Sequence, residues 1–119
     1  MDLIFANIRL SNGIDAIKNQ IKQLPDHEVR FMNVKALVDT GAYMLIINEN
    51  IRVQLGLEKI DLRSAQLADG SILNVDVVSP VEVQFANRKT ICDAMVMPGE
   101  AEVLLGAIPM EAMPARIHI

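Results

Sequence analysis

The chain has 119 residues and a formal net charge of −4, with 51% hydrophobic and 3% aromatic residues. This length fits a single domain over residues 1–119, and the core of such a domain would be built from Ile, Leu, Val, Ala and Met. The acidic balance and the lack of a basic cluster argue against nucleic acid as the main partner, because phosphate binding requires a cationic face.

The cysteine count and the hydropathy of the chain indicate the cellular compartment in which it works. Cys92 is the single cysteine, so no intrachain disulfide can form, which favours a reducing compartment. The N-terminus is acidic and only briefly apolar, unlike a signal peptide. The longest apolar run, residues 42–47, is too short to cross a bilayer. We therefore expect a cytoplasmic protein without a membrane partner.

The first third of the chain predicts a strand, a helix and a second strand. Residues 2–10 read as a strand and residues 11–13 as a turn. Apolar residues then recur at helical spacing, which predicts a helix that ends at Pro25. These residues are Ile14, Ile17, Ile21 and Leu24. The apolar face of this helix would pack within the fold, cover an exposed sheet edge or supply contacts to a second copy in a dimer. Residues 28–38 predict a strand whose alternation slips near residues 32–33, which suggests a bulge.

The middle of the chain predicts a capped helix and a hairpin. Asn48 is a good N-cap residue and Gly56 a good C-terminal one, so a helix is expected between them. Asp69-Gly70 lies between strand-like residues 61–67 and 72–78, a pattern typical of a β-hairpin.

Further strand signals follow. We expect Pro80 to interrupt the strands, residues 81–85 and 90–97 to pair around a turn at residues 87–89, and residues 98–99 to break the second strand. Residues 103–105 predict a short buried strand. A helix from Pro109 to about Met113 and a last strand at residues 116–119 complete the chain. The fold class predicted is mainly β, a closed barrel or sandwich with small helices.

The sequence Val38-Asp39-Thr40-Gly41-Ala42 separates two apolar, strand-like runs, residues 36–38 and 43–47. A hydrophobic strand therefore ends in an acid, a small hydroxyl residue and a glycine before the next strand begins. This pattern puts one carboxylate on a tight loop at the edge of a packed core, a common way to build a catalytic site.

The order of motifs resembles the retropepsin-like branch of the aspartic peptidases. The Asp-Thr-Gly loop at residues 39–41 is followed by a hairpin at residues 68–71, where the family carries its flap, and by Leu104-Leu105-Gly106. Because Ala107-Ile108-Pro109 stands where viral members usually have a polar or charged pair, the chain is more similar to the cellular and bacterial branch. The resemblance implies a retropepsin-like acid protease fold with a flap hairpin.

Hydrolysing a peptide without a metal or a covalent intermediate requires a general base for water and a general acid for the carbonyl oxygen. Two carboxylates that share one proton supply both roles. The sequence contains one Asp-Thr-Gly and no second copy, so a dyad requires Asp39 from two chains. We therefore expect a homodimeric aspartic endopeptidase with a peptide or protein substrate, as the resemblance also implies.

Roles for other residues follow from the loop and the resemblance. Thr40, Gly41 and Ala42 would shape the active-site loop around catalytic Asp39. The flap would be formed by Asp69, Gly70, Ser71 and Ile72. The substrate pocket and the support of the loop would come from Tyr43, Leu105, Gly106 and Ile108. An aliphatic cleft leads us to expect apolar residues beside the cleaved bond.

Other interpretations stay open. Asp39 could be a turn acid, Asp69-Gly70 a surface hairpin, and Leu104-Leu105-Gly106 an ordinary core strand. The chain could also be a catalytically silent dimerisation or peptide-binding module on the same fold, or one half of a larger assembly. No cofactor or metal is expected, since His27, His118 and Cys92 do not fall at zinc-ligand spacings. Cys92 is expected to be a core thiol.

Overall fold

Short strands make up most of the computed structural model, which describes residues 3–39, 41–42, 44–107 and 109. The strands are β1 (Phe5–Asn12), β2 (Phe31–Val38), β3 (Leu45–Asn48), β4 (Glu58–Gln66), β5 (Ile72–Phe85), β6 (Arg88–Met97) and β7 (Val103–Leu105). The helices are α1 (Gly13–Gln20), α2 (Glu49–Leu55) and a single 3-10 turn over Asp26–Glu28. The mainly β class predicted from the sequence is confirmed.

The strands are hydrogen-bonded in the order β1-β2-β7-β3-β6-β5-β4, and β1 also pairs with β5. Six strands therefore close into a barrel, and closure removes their free edges. β4 lies outside the closed ring and pairs with β5 alone, forming a hairpin with it. This closed barrel with a projecting hairpin agrees with the retropepsin-like fold predicted from the sequence.

The barrel interior is filled by aliphatic side chains from nearly every strand and from α2. The residues with no measurable exposure include Leu10, Ala36, Leu45, Ile47, Leu55, Val78, Val81, Val83 and Ala94. Inward-facing residues alternate along β5 and β6, as the period of a strand requires. The aliphatic core expected from the composition is therefore present.

Helix α1 presents its apolar side chains to solvent, so the prediction that this face packs within the chain is wrong. Ile14, Ile17 and Ile21 are 43%, 45% and 56% exposed. The buried side is polar instead, because Asp15 faces the barrel and accepts two hydrogen bonds from the Arg30 guanidinium, at 2.8 and 3.0 Å. The helix also ends at Gln20, earlier than the Pro25 boundary predicted from the sequence.

Asn12 joins the two helices to the barrel, and the turn predicted at residues 11–13 is wrong. Ser11 and Asn12 complete β1, and α1 starts directly at Gly13. The Asn12 side-chain oxygen accepts a hydrogen bond from the Asp15 amide at 3.1 Å, which caps α1. Its amide nitrogen donates to the carbonyl of Leu55 at 2.8 Å, at the end of α2.

The irregularities of the sheet differ from those predicted. β2 starts at Phe31 and pairs with β1 in unbroken register, without the bulge expected near residues 32–33. The apparent slip arises because Phe31 faces outward, where the guanidinium carbon of Arg9 lies 3.9 Å from its ring centroid. The register shifts instead between Val78 and Val81, and β5 continues through Pro80 rather than ending there.

Several local predictions are confirmed. Asn48 caps α2 by accepting a hydrogen bond from the Ile51 amide at 3.0 Å, and Gly56 ends it with a φ of +63°. The turn between β5 and β6 lies at residues 86–87, one position before the predicted turn.

The predictions for the C-terminal residues are tested only in part. Of the predicted helix from Pro109 to about Met113, Pro109 alone is described, and the predicted strand at residues 116–119 lies outside the described residues.

Candidate active site

Strand β7 lies between β2 and β3, the two strands that lead into and out of the loop carrying Asp39. β7 runs parallel to β2, with Val38 opposite Leu105, and antiparallel to β3, with Ile46 opposite Leu104. Because one short strand pairs with both arms, the ends of the loop are held at a fixed separation. The loop therefore projects from the middle of the sheet rather than from a free edge.

Backbone hydrogen bonds fix the loop from both sides. The Asp39 amide donates to the Leu105 carbonyl at 3.1 Å, and the Ala107 amide donates to the Ala42 carbonyl at 2.8 Å. On the other side of β2, the Val38 amide donates to the Ile4 carbonyl at 2.8 Å. Segments distant in sequence thus converge on the residues beside Asp39, which limits how far its backbone can move.

Asp39 is a half-buried residue, and its carboxylate is oriented by its own loop. Its Oδ1 accepts a hydrogen bond from the Gly41 amide at 2.9 Å, and its carbonyl accepts one from the Ala42 amide at 3.1 Å. A Cβ built on Gly41 would lie 3.1 Å from this Oδ1, closer than ordinary contact. Glycine at this position therefore lets the carboxylate reach the amide.

The other residues predicted for the loop and pocket are described in part. Leu105 is buried with 2% exposure, and Gly106 is buried beside it. Both lie directly beneath the loop, because Leu105 pairs with Val38. Thr40, Tyr43 and Ile108 lie outside the described residues.

The predicted flap is the tip of the β4–β5 hairpin. The Gly70 amide donates to the Leu67 carbonyl at 2.9 Å, and Gly70 has a φ of +88°, which favours glycine. Asp69 accepts hydrogen bonds from the Ser71 hydroxyl at 2.6 Å and the Ser71 amide at 2.9 Å. These bonds hold the pKa of the Asp69 carboxyl below its usual value, so the predicted tip residue acts as a turn acid.

The tip is exposed and carries apolar side chains. Ile72 is 72% exposed, and Ile60 and Leu62 on β4 are also exposed. The side-chain hydrogen bonds that Asp69 and Ser71 make among the described residues stay within the tip itself. The hairpin is therefore braced internally and leaves its apolar residues available to another molecule.

A contact that sequence reasoning missed joins the hairpin to the strand leaving the loop. Nη1 of Arg63, on β4, lies 3.6 Å from the sulfur of Met44, directly before β3. The two residues are 19 positions apart. No local pattern signals such a pair, because it depends on how far the hairpin folds back over the barrel.

The remaining reactive side chains do not form a second site among the described residues. Burial raises the pKa of the Cys92 thiol to about 12, so the reactive thiolate is strongly disfavoured, and this agrees with the predicted core thiol. His27 is exposed and lies 3.8 Å from Glu28. No group of three or more metal-binding side chains occurs in the described part of the chain, where no helix is long and apolar enough to cross a membrane.

Comparison with known proteins identifies the family. The profile described as gag-polyprotein putative aspartyl protease matches residues 26–109, a stretch that contains the Asp39 loop, the hairpin and β7 but not β1 or α1. No curated protein matches the chain. The matched stretch covers more than half of the sequence, and the closed barrel agrees with it. The chain therefore belongs to the retropepsin-like aspartyl proteases and contains an aspartic protease-type domain.

Proposed function

We propose that the protein is an aspartic endopeptidase that acts as a homodimer, in which each chain supplies one Asp39 to a pair of carboxylates. The observation that carries this proposal is the placement of Asp39. This half-buried residue lies on a loop held by the hydrogen bond of its amide to Leu105 and by the neighbouring bonds of Ala42 and Val38. A carboxylate needed only to close a turn would not require support from two segments distant in sequence, residues 105–107 and Ile4.

The surface beside the loop supports self-association. Leu3 and Ile4 are 69% and 63% exposed, and the Ile4 carbonyl is bonded to the amide of Val38, one residue from Asp39. Apolar side chains exposed in one chain often mark an interface. Here, beside Asp39, a second copy of the chain would cover them. A two-fold axis through this region would bring two Asp39 side chains together.

Two carboxylates placed this closely cannot both ionise, so the pair retains one proton that belongs to both residues. The ionised member would accept a proton from water, and that water would attack the peptide carbonyl. The protonated member would donate to the carbonyl oxygen. The hydrogen bond from the Gly41 amide would hold the Asp39 carboxylate in position while this occurs.

The hairpin would supply substrate contacts. β4 is an edge strand, and its apolar residues and those of the tip are exposed. An extended peptide can pair with strand backbone while its side chains enter alternate pockets. Closing such a hairpin over the peptide would exclude water from the carboxylate pair.

Cleavage of a peptide library by the unmodified protein and by Asp39→Asn tests the proposal. The measurement covers acid to neutral pH and several protein concentrations, and sedimentation reports the oligomeric state of each sample. We expect the unmodified protein to cleave with a rate that rises faster than linearly with concentration, and Asp39→Asn to dimerise without cleaving.

Asp26→Asn is the matched control, because Asp26 lies in the 3-10 turn at the other end of β2 and is exposed. It should cleave as the unmodified protein does. Full activity in Asp39→Asn would refute the mechanism. A verified dimer that binds peptides but cleaves none at any pH would favour the catalytically silent binding module.

A further inference from the structure

A small cavity lies where the hairpin meets the strand that leaves the Asp39 loop. Its volume is about 220 Å³, enough for several water molecules or a short side chain. The described residues that line it are Met44, Arg63, Cys92, Asp93 and Pro109. Met44 is five positions after Asp39, and Arg63 comes from the hairpin, so the cavity joins both parts of the proposed substrate cleft.

Arg63 is the one cation among these lining residues, and much of its hydrogen-bonding capacity is unused. Its guanidinium contacts the weakly accepting sulfur of Met44 at 3.6 Å and lies 3.8 Å from the Asp61 carboxylate. Arg63 and Asp61 side chains are 54% and 57% exposed, so their attraction is weak and screened by solvent. A guanidinium has five N–H donors, most of which remain available here.

Asp93 lines the same cavity and carries the opposite charge. Its Oδ1 already accepts a hydrogen bond from the Ser79 hydroxyl at 2.6 Å, a partner on the neighbouring strand β5. One oxygen of the Asp93 carboxylate is thus bonded to the barrel wall, whereas Arg63 lies on the projecting hairpin with most of its donors free. The ligand group that best complements the cavity is a carboxylate.

We propose that this cavity is a substrate pocket in which Arg63 selects peptides carrying an aspartate or glutamate away from the cleaved bond. The pocket rests on the proposed peptidase function and gives it a substrate class. Met44 contributes an apolar wall for the methylene groups of the bound side chain, and the guanidinium binds the carboxylate in the two-pronged geometry that suits it.

A two-fold homodimer would repeat the pocket in both halves of the cleft. A homodimer would present Arg63 once in each half of the cleft, at equal distances from the bond between the two Asp39 residues. An extended peptide crossing the axis would meet these guanidinium groups at positions equally far before and after the cleaved bond. Acid preference should therefore occur at one such pair of positions rather than spread along the peptide.

The test measures cleavage-site profiles for the unmodified protein, Arg63→Gln, Arg63→Glu and the control Arg88→Glu. Arg88 lies beside the Phe85 ring and does not line the cavity. For matched peptides that differ by Glu against Gln at the selected position, we expect a preference for Glu of about fivefold, the size of a favourable exposed ion pair. Arg63→Gln should abolish it, Arg63→Glu should favour Lys instead, and Arg88→Glu should leave it unchanged.

Binding of the same peptides to Asp39→Asn separates this proposal from the proposed function. Tighter binding of the Glu peptide that depends on Arg63, without cleavage by the unmodified protein, would support the pocket and overturn the peptidase. Cleavage or binding that is indifferent to Glu at every position, or unchanged in Arg63→Gln, would overturn the pocket. A preference for Lys peptides that is lost in Asp93→Asn would also overturn the proposed pocket, because Asp93 rather than Arg63 would then select the peptide.

Discussion

Asn12→Ala should destabilise the protein more than Asn48→Ala, although both asparagines cap a helix. Each side-chain oxygen accepts a hydrogen bond from a first-turn amide, and each side-chain nitrogen donates to a distant carbonyl. The distant carbonyls differ in burial. Leu55 is fully buried, whereas the carbonyl of Ala101 belongs to a half-buried residue that water can reach.

The expected magnitudes follow from these contacts. Loss of either cap costs about 1 kcal/mol. Asn12→Ala also leaves the Leu55 carbonyl buried without its donor, which adds about 1–3 kcal/mol and brings the total to about 2–4 kcal/mol. For a chain of this size, that should lower the melting temperature by roughly 10 °C, against a few degrees for Asn48→Ala.

Urea unfolding followed by far-UV circular dichroism measures both values, since the chain has no tryptophan. Each variant should be measured at several concentrations, because dimerisation would add stability that depends on concentration. Asn12→Ser keeps a capping oxygen but is too short to reach Leu55, so it should recover only the contribution of the cap. Equal losses in Asn12→Ala and Asn48→Ala would refute the argument that the buried carbonyl decides the difference.

Three further outcomes are expected. Gly41→Ala should fold with little loss of stability but cleave peptides more slowly, by about tenfold or more. The added Cβ would lie 3.1 Å from the Asp39 Oδ1 and displace the carboxylate. Unchanged cleavage rates would contradict this. Gly70→Ala should cost about 1–2 kcal/mol in unfolding experiments, since the φ of +88° strains any other residue, and an equally stable variant would show that the turn rearranges. The Arg30 guanidinium holds the pKa of the Asp15 carboxyl below its usual value, so the stability that Asp15 contributes should be complete above about pH 4 and be lost as pH falls through the folded pKa. The stability difference between the unmodified protein and Asp15→Asn should therefore shrink in acid, and a difference independent of pH would contradict the ion pair.

The features that sequence predicted well depend on local chemistry. Asn48 and Gly56 bound α2 because capping needs only neighbouring residues. Asp69-Gly70 predicted the hairpin because a left-handed glycine closes the turn. The Asp39 loop and the strand at residues 103–105 were found because an acid and two glycines interrupt apolar runs in a recognisable order.

The features that sequence missed depend on contacts between distant residues. The Ile14 and Ile17 spacing predicted a buried face, yet a buried Asp15 paired with Arg30 turned that face outward. Periodicity records which side of a helix is apolar but not which side the barrel binds. The contact of Arg63 with Met44 was equally invisible, because it depends on the position of a whole hairpin.

The placement of β7 has a consequence for biosynthesis. Both arms of the Asp39 loop are made early, but the strand that holds them together includes residues 103–105 and is translated after every other strand described. A chain still emerging from the ribosome can form the β4–β5 hairpin while the loop lacks its support. Under the proposed function, a nascent chain would lack a supported Asp39 loop until β7 inserts. Peptide cleavage by chains that end before and after residue 105 would show whether activity requires β7.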